Sequence, residues 1–152
     1  MLPAALWAQN NGCVDEFAKN PTYQCTFPFQ PVCACDGKTY FNQCDAINHG
    51  GIIFNGTNMT SGVCGYAAMF LGQDAPNKLV SMFFQFQTSG GDLTFLILDT
   101  YGHRMLQRFI RTNNNFPIQL DIDVAGYPPG VYFAYAYGGG FSKVIKFAVG
   151  GL

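Results

Sequence analysis

The chain has few charged residues and no long apolar segment. Charged residues make up 11% of its 152 residues, whereas an average soluble domain has about 25%. The net charge of −1 provides neither a basic field for nucleic acid nor a polybasic patch for anionic lipid. No segment approaches the roughly 20 consecutive apolar residues that a membrane-spanning helix needs. These absences argue against nucleic-acid binding and against a helical membrane span.

Motifs of common catalytic and cofactor sites are also missing. The sequence has no G-x-S-x-G nucleophile elbow, no G-x-G-x-x-G segment and no phosphate loop. Its two histidines, His49 and His103, fall in different regions and leave no nucleophile–base pair. A zinc site is not expected, because the chain has no C-x-x-C pair. We therefore predict that the protein is not an enzyme and holds no cofactor or metal.

Cysteines are confined to the first part of the chain. All six lie between Cys13 and Cys64, while the residues after Cys64 hold most of the β-forming aromatic and branched side chains. Two domains that are stabilised by different means are therefore expected. Six cysteines can pair in fifteen ways, so their spacing alone does not fix the pairing. Paired cysteines need an oxidising compartment, which favours an extracellular or outer cell-surface location.

An apolar segment with several small residues opens the chain, Met1-Leu-Pro-Ala-Ala-Leu-Trp-Ala8. This composition is typical of the end of a secretory signal peptide, although the usual basic start is missing. Residues 1–8 are interpreted as a signal-peptide remnant with cleavage near Ala8. An ordinary apolar N-terminal strand is the alternative.

One segment carries a specific motif, Pro31-Val-Cys-Ala-Cys-Asp-Gly-Lys-Thr-Tyr-Phe-Asn-Gln-Cys44. Seven residues separate Cys25 from Cys33, and ten separate Cys33 from Cys44. The motif and these spacings resemble Kazal-type protease-inhibitor domains, and the resemblance covers residues 11–64. Ile47 stands where the family has a cysteine and Cys35 is additional, a swap that resembles a bacterial variant of the family.

The resemblance implies three disulfides, Cys13–Cys35, Cys25–Cys44 and Cys33–Cys64. A module of this size needs such covalent links, because it cannot bury enough apolar surface to fold unaided. Asn42 stands where a helix N-cap would lie and Gly50 where a C′ glycine would lie, so a short helix is predicted over residues 43–49. Tyr40 is expected to supply a core ring that supports the binding loop.

The same resemblance implies that the loop after Cys25 is the surface that binds a partner. Its candidate binding residues are Thr26, Phe27, Pro28 and Phe29. By family position, Phe27 would enter the specificity pocket of a chymotrypsin-like serine protease, and Asn42 would hydrogen-bond the loop. Pro28 follows Phe27 directly and removes an N–H at that point. Two interpretations stay open, namely an exposed scaffold without inhibitory action and an inhibitor of a serine protease.

The sequence after Cys64 has a β pattern. Strands are predicted over residues 78–87, 92–98, 104–111, 116–121, 130–137 and 141–149, because aromatic and branched segments alternate with turn residues. Short, regularly spaced strands of this kind predict an all-β Ig-like sandwich over residues 72–152, preceded by a linker at 65–71. The predicted fold class is thus a small disulfide-rich α+β Kazal-like domain followed by an all-β Ig-like sandwich.

Three segments of this tail resemble, in order, the C-terminal sorting domain of type IX secretion cargo in Bacteroidota. They are the segment Leu93–Arg104, a strand that ends in the turn Asp99-Thr-Tyr-Gly-His-Arg104, the strand start Pro129-Gly-Val-Tyr-Phe133 and the terminal strand 143–149. The family's Pro-Asn-Pro opening is absent, with only Pro76-Asn77 nearby. The resemblance implies that the type IX machinery carries the folded protein across the outer membrane, after which the tail is removed or exchanged for a surface anchor. A plain Ig-like adhesive domain is the alternative.

Two functions from different classes follow. The first is a secreted or surface-attached protein-binding module, with serine-protease inhibition as one form of that binding, exported by type IX secretion. The second is a structural subunit of an extracellular or cell-surface fibre or assembly. In that case aromatic strands such as 131–137 would be buried between copies in a homo-oligomer. The expected partners are therefore a serine protease or further copies of the chain, together with the secretion machinery.

Overall fold

A computed structural model of the chain describes residues 12–25, 28–74, 76, 78–88, 90–112 and 117–150. The chain divides into two compact units, Met1–Cys64 and Gly65–Leu152. Within the described ranges, no helix combines the length and the apolar character that crossing a membrane requires. The signal-peptide remnant predicted at residues 1–8 lies outside the described residues.

In the first unit, residues 12–25 and 28–64 contain one small antiparallel sheet and one short helix. Strand β1 (Val32–Ala34) lies between β2 (Thr39–Tyr40) and β3 (Met59–Ser61), and helix α1 (Gln43–Asn48) follows β2. A single 3-10 turn at Glu16–Ala18 precedes the sheet in the described part of the unit. Among the described residues of this unit, the buried cluster is small and consists of Ala34, Ala46 and Ile52. Because this cluster is small, the stability of the unit depends on covalent links between its parts.

Helix α1 is short because residues at both ends stop it. The Asn42 side chain caps its start, and Asn42 Oδ1 accepts a hydrogen bond from the Asp45 N–H at 2.9 Å. At the other end the Gly50 N–H donates to the Asp45 carbonyl at 3.1 Å, and Gly51 has a φ of +69°. A Cβ at Gly50 would lie 2.5 Å from the Tyr40 ring. The glycine pair therefore ends the helix, and the absence of a side chain at Gly50 leaves space for the Tyr40 ring.

The described residues of the second unit form seven antiparallel strands in two sheets. The strands are β4 (Ala67–Asp74), β5 (Leu79–Phe86), β6 (Asp92–Asp99), β7 (Arg104–Arg111), β8 (Ile118–Asp123), β9 (Gly130–Gly138) and β10 (Phe141–Val149). One sheet has the order β10-β9-β6-β7 and the other has the order β4-β5-β8. Both sheets contribute residues to one hydrophobic core.

Alternate residues of each strand form that core. Phe84 on β5 and Phe95 on β6 are fully buried, and their rings meet edge to face at 5.5 Å between centroids. These two strands belong to different sheets, so the contact joins the sheets at their centre. Tyr132 on β9 is also buried, and its hydroxyl donates to the Pro128 carbonyl at 2.6 Å. This hydrogen bond fixes the loop that enters β9.

The predicted fold class is wrong. A small disulfide-rich α+β Kazal-like domain and an all-β Ig-like sandwich were expected, but the described residues are 51% strand and 7% helical with one short α-helix, so the chain is nearly all β. Asn42 and the pair Gly50–Gly51 confine the helix to six residues. In the second unit β7 pairs with β6, whereas the fourth strand of a constant-type immunoglobulin domain joins the other sheet.

Strand β4 is the largest local departure from the sequence analysis. Residues 65–71 were expected to form a linker, but β4 pairs with β5 along its whole length, from Ala67 opposite Phe86 to Asp74 opposite Leu79. The segment has no β-branched residue and one aromatic residue, Phe70, so strand propensity gave only a weak signal. Burial of Met69 in the core holds it in place. Strand β8 also begins later than residue 116, and residues 113–116 lie outside the described residues.

Candidate functional site

Three disulfides link the parts of the first unit, Cys13–Cys35, Cys25–Cys44 and Cys33–Cys64. This is the pairing that the resemblance to Kazal-type domains implied. The second bridge ties the start of the candidate loop to α1, and the third ties β1 to the end of the unit. No cysteine of the chain is free. Three bridges in so short a segment indicate a protein that works outside the reducing cytoplasm.

The candidate binding loop between Cys25 and Pro31 is placed in part. Thr26 and Phe27 lie outside the described residues, whereas Pro28 is exposed and Pro31 is buried. The disulfide at Cys25 fixes the beginning of the loop. Burial of Pro31 fixes its end.

Aromatic packing supports the middle of the loop. The half-buried Phe29 ring lies 4.8 Å from the Phe41 ring between centroids. The Gln30 N–H donates to the Phe41 carbonyl at 3.2 Å. Phe41 directly follows β2, so the loop packs on the segment that leads into α1. Of the predicted binding residues, Phe29 is therefore partly committed to the loop's own packing.

Asn42 connects the loop to the helix. Its side chain is only 6% exposed. Asn42 Nδ2 donates to the Pro28 carbonyl at 3.2 Å, while Oδ1 accepts from the Asp45 N–H at 2.9 Å. One amide group thus caps α1 and holds the loop backbone. Both contacts were expected of Asn42: the helix cap from its position before residues 43–49, and the loop contact through the family resemblance.

Tyr40 lies in the small core of the first unit. Its half-buried ring packs against the Ala34, Ala46 and Ile52 cluster. Its hydroxyl donates to Asp36 Oδ2 at 2.7 Å. Burial, together with the hydrogen bond to Asp36, raises the pKa of Tyr40. The hydroxyl therefore stays a donor, and Tyr40 holds the turn between β1 and β2 against the core.

A second hydrogen-bonded group, which the sequence did not predict, lies at the end of α1. His49 Nδ1 lies 2.7 Å from Asp45 Oδ1, and His49 Nε2 lies 2.7 Å from the Tyr23 carbonyl oxygen. Asp45 Oδ2 accepts from the Phe41 N–H at 2.9 Å. The histidine therefore ties the segment just before the candidate loop to the helix. The sequence could have indicated the contact between Asp45 and His49, since residues four apart on a helix are neighbours.

The first unit is expected to be more stable at acidic pH because of His49. The hydrogen bond to the Asp45 carboxylate, followed by the one to the Tyr23 carbonyl, raises the pKa of His49 above its usual 6.5. The folded state thus binds the proton more tightly than the unfolded state. The resulting stabilisation is complete below about pH 6.5 and is lost as pH rises through the higher folded-state pKa.

Thermal unfolding of the full chain between about pH 5 and pH 8 measures this effect. The melting temperature of the first unit should fall as pH rises across this range. In the His49→Gln variant, which cannot become charged, the fall should disappear. Identical pH profiles for the wild type and the variant would contradict the assignment.

In the second unit, the turn between β6 and β7 is organised by Asp99. Its carboxylate accepts from the Tyr101 N–H at 2.9 Å and from the His103 N–H at 2.8 Å, and His103 Nδ1 lies 2.9 Å away. Burial acts to raise the pKa of Asp99, but the hydrogen bonds from His103 and Tyr101 lower it overall. Gly102 has a φ of +82°, which this tight turn needs. The motif residues therefore form a rigid exposed turn.

Lys143, in the terminal strand, lies at the edge of the two sheets. Its Nζ donates to the Met69 carbonyl of β4 at 2.8 Å and lies 4.9 Å from the centroid of the Phe70 ring. Burial lowers the pKa of Lys143. Nearby, Gln73 Nε2 donates to the Ala148 carbonyl at 2.8 Å. Side chains thus join the edge strands β4 and β10, which belong to different sheets.

The four-stranded sheet has an apolar side that points away from the core. On β9, Tyr132, Ala134 and Ala136 are buried, while the residues between them face outward. Strand register places Leu96 of β6 and Val144 of β10 on either side of Tyr135. The side chains on this side, here called the outer face, are Asp92, Thr94, Leu96, Leu98, Arg104, Gln107, Phe109, Arg111, Val131, Phe133, Tyr135, Tyr137, Ser142, Val144, Lys146 and Ala148. The charged residues lie at its borders and the apolar ones across its middle.

Metal-binding side chains are not clustered in the part of the chain that the structure describes. Across the described ranges, no three His, Cys, Asp or Glu side chains are grouped so as to hold a metal ion. A cleft of about 600 Å³ lies at one end of the second unit. Its lining residues are Gln73, Asp74, Lys78, Leu79, Val124, Ala125, Tyr127, Pro129, Ala148, Val149 and Gly150. This lining supplies one carboxylate, from Asp74, and one amine, from Lys78.

Neither the protein-family models nor the curated proteins contain a match to this chain.

Proposed function

We propose that the first unit is a secreted protein-binding module and that its Cys25–Pro31 loop is the surface that binds the partner. The observation that carries this proposal is the hydrogen bond from Asn42 Nδ2 to the Pro28 carbonyl. A loop that is held in one conformation before binding loses little conformational entropy on binding. The Cys25–Cys44 disulfide supports the same loop from its other side.

A serine protease of chymotrypsin-like specificity is the partner that the loop sequence favours. The resemblance to Kazal-type inhibitors assigns Phe27 to the protease's specificity pocket. Pro28 then follows the bond that the protease would attack. Because proline has no N–H and a fixed φ, it limits the approach of that bond to the catalytic serine. The loop would accordingly bind as a ligand and not be consumed as a substrate.

The contact of Asn42 with the loop can be separated from its role as a helix cap. Asn42→Ser keeps an N-cap hydroxyl but has no group that reaches the Pro28 carbonyl, whereas Asn42→Ala loses both contacts. We expect a broad-specificity protease such as subtilisin to cut the loop about fivefold faster in both variants, the factor that corresponds to one hydrogen bond of about 1 kcal/mol.

Thermal unfolding of the same proteins supplies the control. Only Asn42→Ala should lower the melting temperature of the first unit, by the loss of about 1 kcal/mol of capping energy. If the loop of Asn42→Ser is cut at the wild-type rate, Asn42 does not hold the loop, and the central support for the binding surface is lost.

For the second unit, we propose the role of a type IX sorting domain. The Asp99–Arg104 turn is ordered by three contacts to one carboxylate, and it is exposed at Tyr101 and His103. The other two motifs stabilise the fold. Lys143 donates a hydrogen bond to a main-chain carbonyl of the edge strand β4, and the buried Tyr132 donates one to the Pro128 carbonyl. A sorting domain must reach the secretion machinery folded, so a rigid exposed turn on a stable β unit supports this role.

Expression of the full chain in a Bacteroidota host tests this second role. With an active type IX system, the protein should appear in the medium or on the cell surface. In a matched strain without the type IX translocon, it should accumulate in the periplasm. Equal release from the two strains would reject the sorting role and leave the binding role of the first unit untouched.

A second candidate function is that of a structural subunit in an extracellular assembly. The observation in its favour is the outer face, where Phe109 is 67% exposed and Val144 is 55% exposed. Soluble monomers rarely expose contiguous apolar patches of more than a few hundred Å², and larger ones usually mark interaction surfaces. In this case the second unit would stay part of the working protein after export.

A further inference from the structure

A small pocket opens at one corner of the outer face, where β7, β6 and β9 lie side by side. Its volume is about 250 Å³. Strand register places Phe109 of β7, Thr94 of β6 and Tyr137 of β9 in one row across the sheet. Because the Thr94 side chain is short, a gap remains between the two aromatic side chains. The pocket is thus flanked by rings from two strands that are not neighbours in the sheet.

Both aromatic side chains are available to a ligand. Phe109 is 67% exposed and Tyr137 is 40% exposed. The Tyr137 ring is supported by the Tyr135 ring, whose centroid lies 5.1 Å away. Phe109 and Tyr137 are separated by two strand spacings, about 10 Å. Pockets for drug-sized ligands have volumes of about 300–1,000 Å³, so this smaller pocket accepts one ring-sized unit.

The pocket also carries two opposite charges that do not pair with each other. Asp92 of β6 and Arg111 of β7 are directly opposite in the strand register, and both line the pocket. Opposite charges in such a position usually interact. Within the described ranges, however, neither of these two side chains has a hydrogen-bond or ion-pair partner. A carboxylate acceptor and a guanidinium donor therefore remain available to a ligand.

The main chain at this end of the pocket is held in place. The Tyr66 hydroxyl accepts a hydrogen bond from the Asp92 N–H at 3.0 Å and donates one to the Asp92 carbonyl at 3.1 Å. A Cβ at Gly138 would lie 2.9 Å from the same carbonyl oxygen, so glycine is needed for this close approach of β9 to β6. Asp92 therefore starts from a fixed backbone, which reduces the conformational entropy lost on binding.

We propose that this pocket binds one neutral sugar ring of a glycan. A pyranose has apolar C–H faces, which pack against the electron-rich faces of aromatic rings such as Phe109 and Tyr137. Each hydroxyl at its edge both donates and accepts hydrogen bonds, so neighbouring hydroxyls can donate to Asp92 and accept from Arg111. The two charges of the pocket cancel. An anionic ligand would be repelled by Asp92 and a cationic ligand by Arg111, whereas a neutral sugar satisfies both.

The position of the pocket argues against a peptide or a nucleic acid as its occupant. Extended peptides commonly add to a sheet edge through main-chain hydrogen bonds, but β6 and β9 are already paired with strands on both sides. A nucleic acid needs a basic field, which a net charge of −1 does not supply. The site shares no residue with the Cys25–Pro31 loop or with the Asp99–Arg104 turn. It is therefore separate from the binding and sorting functions proposed above.

NMR titration of the isotope-labelled full chain with small neutral sugars tests the proposal. The probes are the methyl glycosides of glucose, galactose, mannose, xylose, fucose and N-acetylglucosamine. At least one of them should bind and shift the amide signals of residues 92–94, 109–111 and 137–138, which surround the pocket. Methyl glucuronide serves as the anionic probe and adenosine as the probe that carries a planar base. Both should bind more weakly than the best neutral glycoside.

Two variants, each with a matched control, locate the binding. Phe109→Ala removes a flanking ring, and Arg111→Met removes the guanidinium but keeps a long side chain. Each should raise the dissociation constant of the best glycoside at least about fivefold. Phe54→Ala removes a ring that is 65% exposed in the first unit, and Arg108→Met makes the same change on the other side of β7. Both control variants should bind like the wild type.

Three results would overturn the assignment. The first is the absence of shifts with every neutral glycoside at its highest soluble concentration. The second is tighter binding of methyl glucuronide or adenosine than of any neutral glycoside, which would make the ligand an anion or a planar base. The third is binding that neither Phe109→Ala nor Arg111→Met weakens. Both variants change exposed residues, so wild-type melting temperatures should accompany the loss of binding.

Discussion

Removal of the Cys33–Cys64 disulfide is expected to unfold the first unit and leave the second unit folded. This bridge has the largest sequence separation of the three, 31 residues, and the loss of such a loop constraint costs about 4 kcal/mol by loop-closure entropy. A small domain has a total stability of only about 5–15 kcal/mol. The buried cluster of Ala34, Ala46 and Ile52 is too small to compensate.

The double variant Cys33→Ala/Cys64→Ala avoids a free thiol, and calorimetry of the full chain measures the result. We expect the transition of the first unit to disappear or to move to a much lower temperature. Reduction of the wild type should have the same selective effect, because the second unit contains no cysteine after Cys64. A shift of both transitions by equal amounts would contradict independent stabilisation of the two units.

Phe84→Ala is expected to produce the opposite selectivity. Phe84 is fully buried and meets Phe95 of the other sheet at the centre of the core. Truncation of a buried phenylalanine costs about 3–5 kcal/mol, since a cavity remains where the ring packed. The second unit should therefore lose most of its stability, while the disulfide-linked first unit keeps its own transition.

Phe109→Ala is the matched control for this prediction. It removes the same ring from a position that is 67% exposed, and surface substitutions usually change stability by less than about 0.5 kcal/mol. Chemical denaturation followed by near-UV circular dichroism measures both variants. Equal destabilisation by Phe84→Ala and Phe109→Ala would mean that the two sheets do not share the core described here.

The sequence predicted local features better than it predicted the fold class. Strands 104–111 and 141–149 have the predicted bounds, because turn residues flank these two segments of aromatic and branched side chains. The N-cap at Asn42 was also predicted correctly, since its side-chain chemistry acts within three residues. The α+β assignment was wrong because a six-residue helix carries little weight in a unit made mainly of short strands and turns.

Features that depend on distant contacts were beyond sequence reasoning. Strand β4 has little β propensity and is defined by its pairing with β5 and by the burial of Met69. The contact between His49 and the Tyr23 carbonyl joins residues that are 26 positions apart. Cysteine spacing alone left fifteen pairings open, and only the family resemblance indicated the pairing that the structure contains. The outer face likewise required the register of four strands.

Titration of a chymotrypsin-like serine protease with the full, disulfide-intact chain tests the proposed binding role of the first unit most directly. We predict that protease activity falls with a stoichiometry of one chain per enzyme. The effect should be lost in Phe27→Asp and kept in Phe54→Asp, which changes a residue that is 65% exposed in the same unit but outside the loop. Protease activity that stays unchanged in a large excess of the folded chain would contradict the assignment of the Cys25–Pro31 loop as a protease-binding surface.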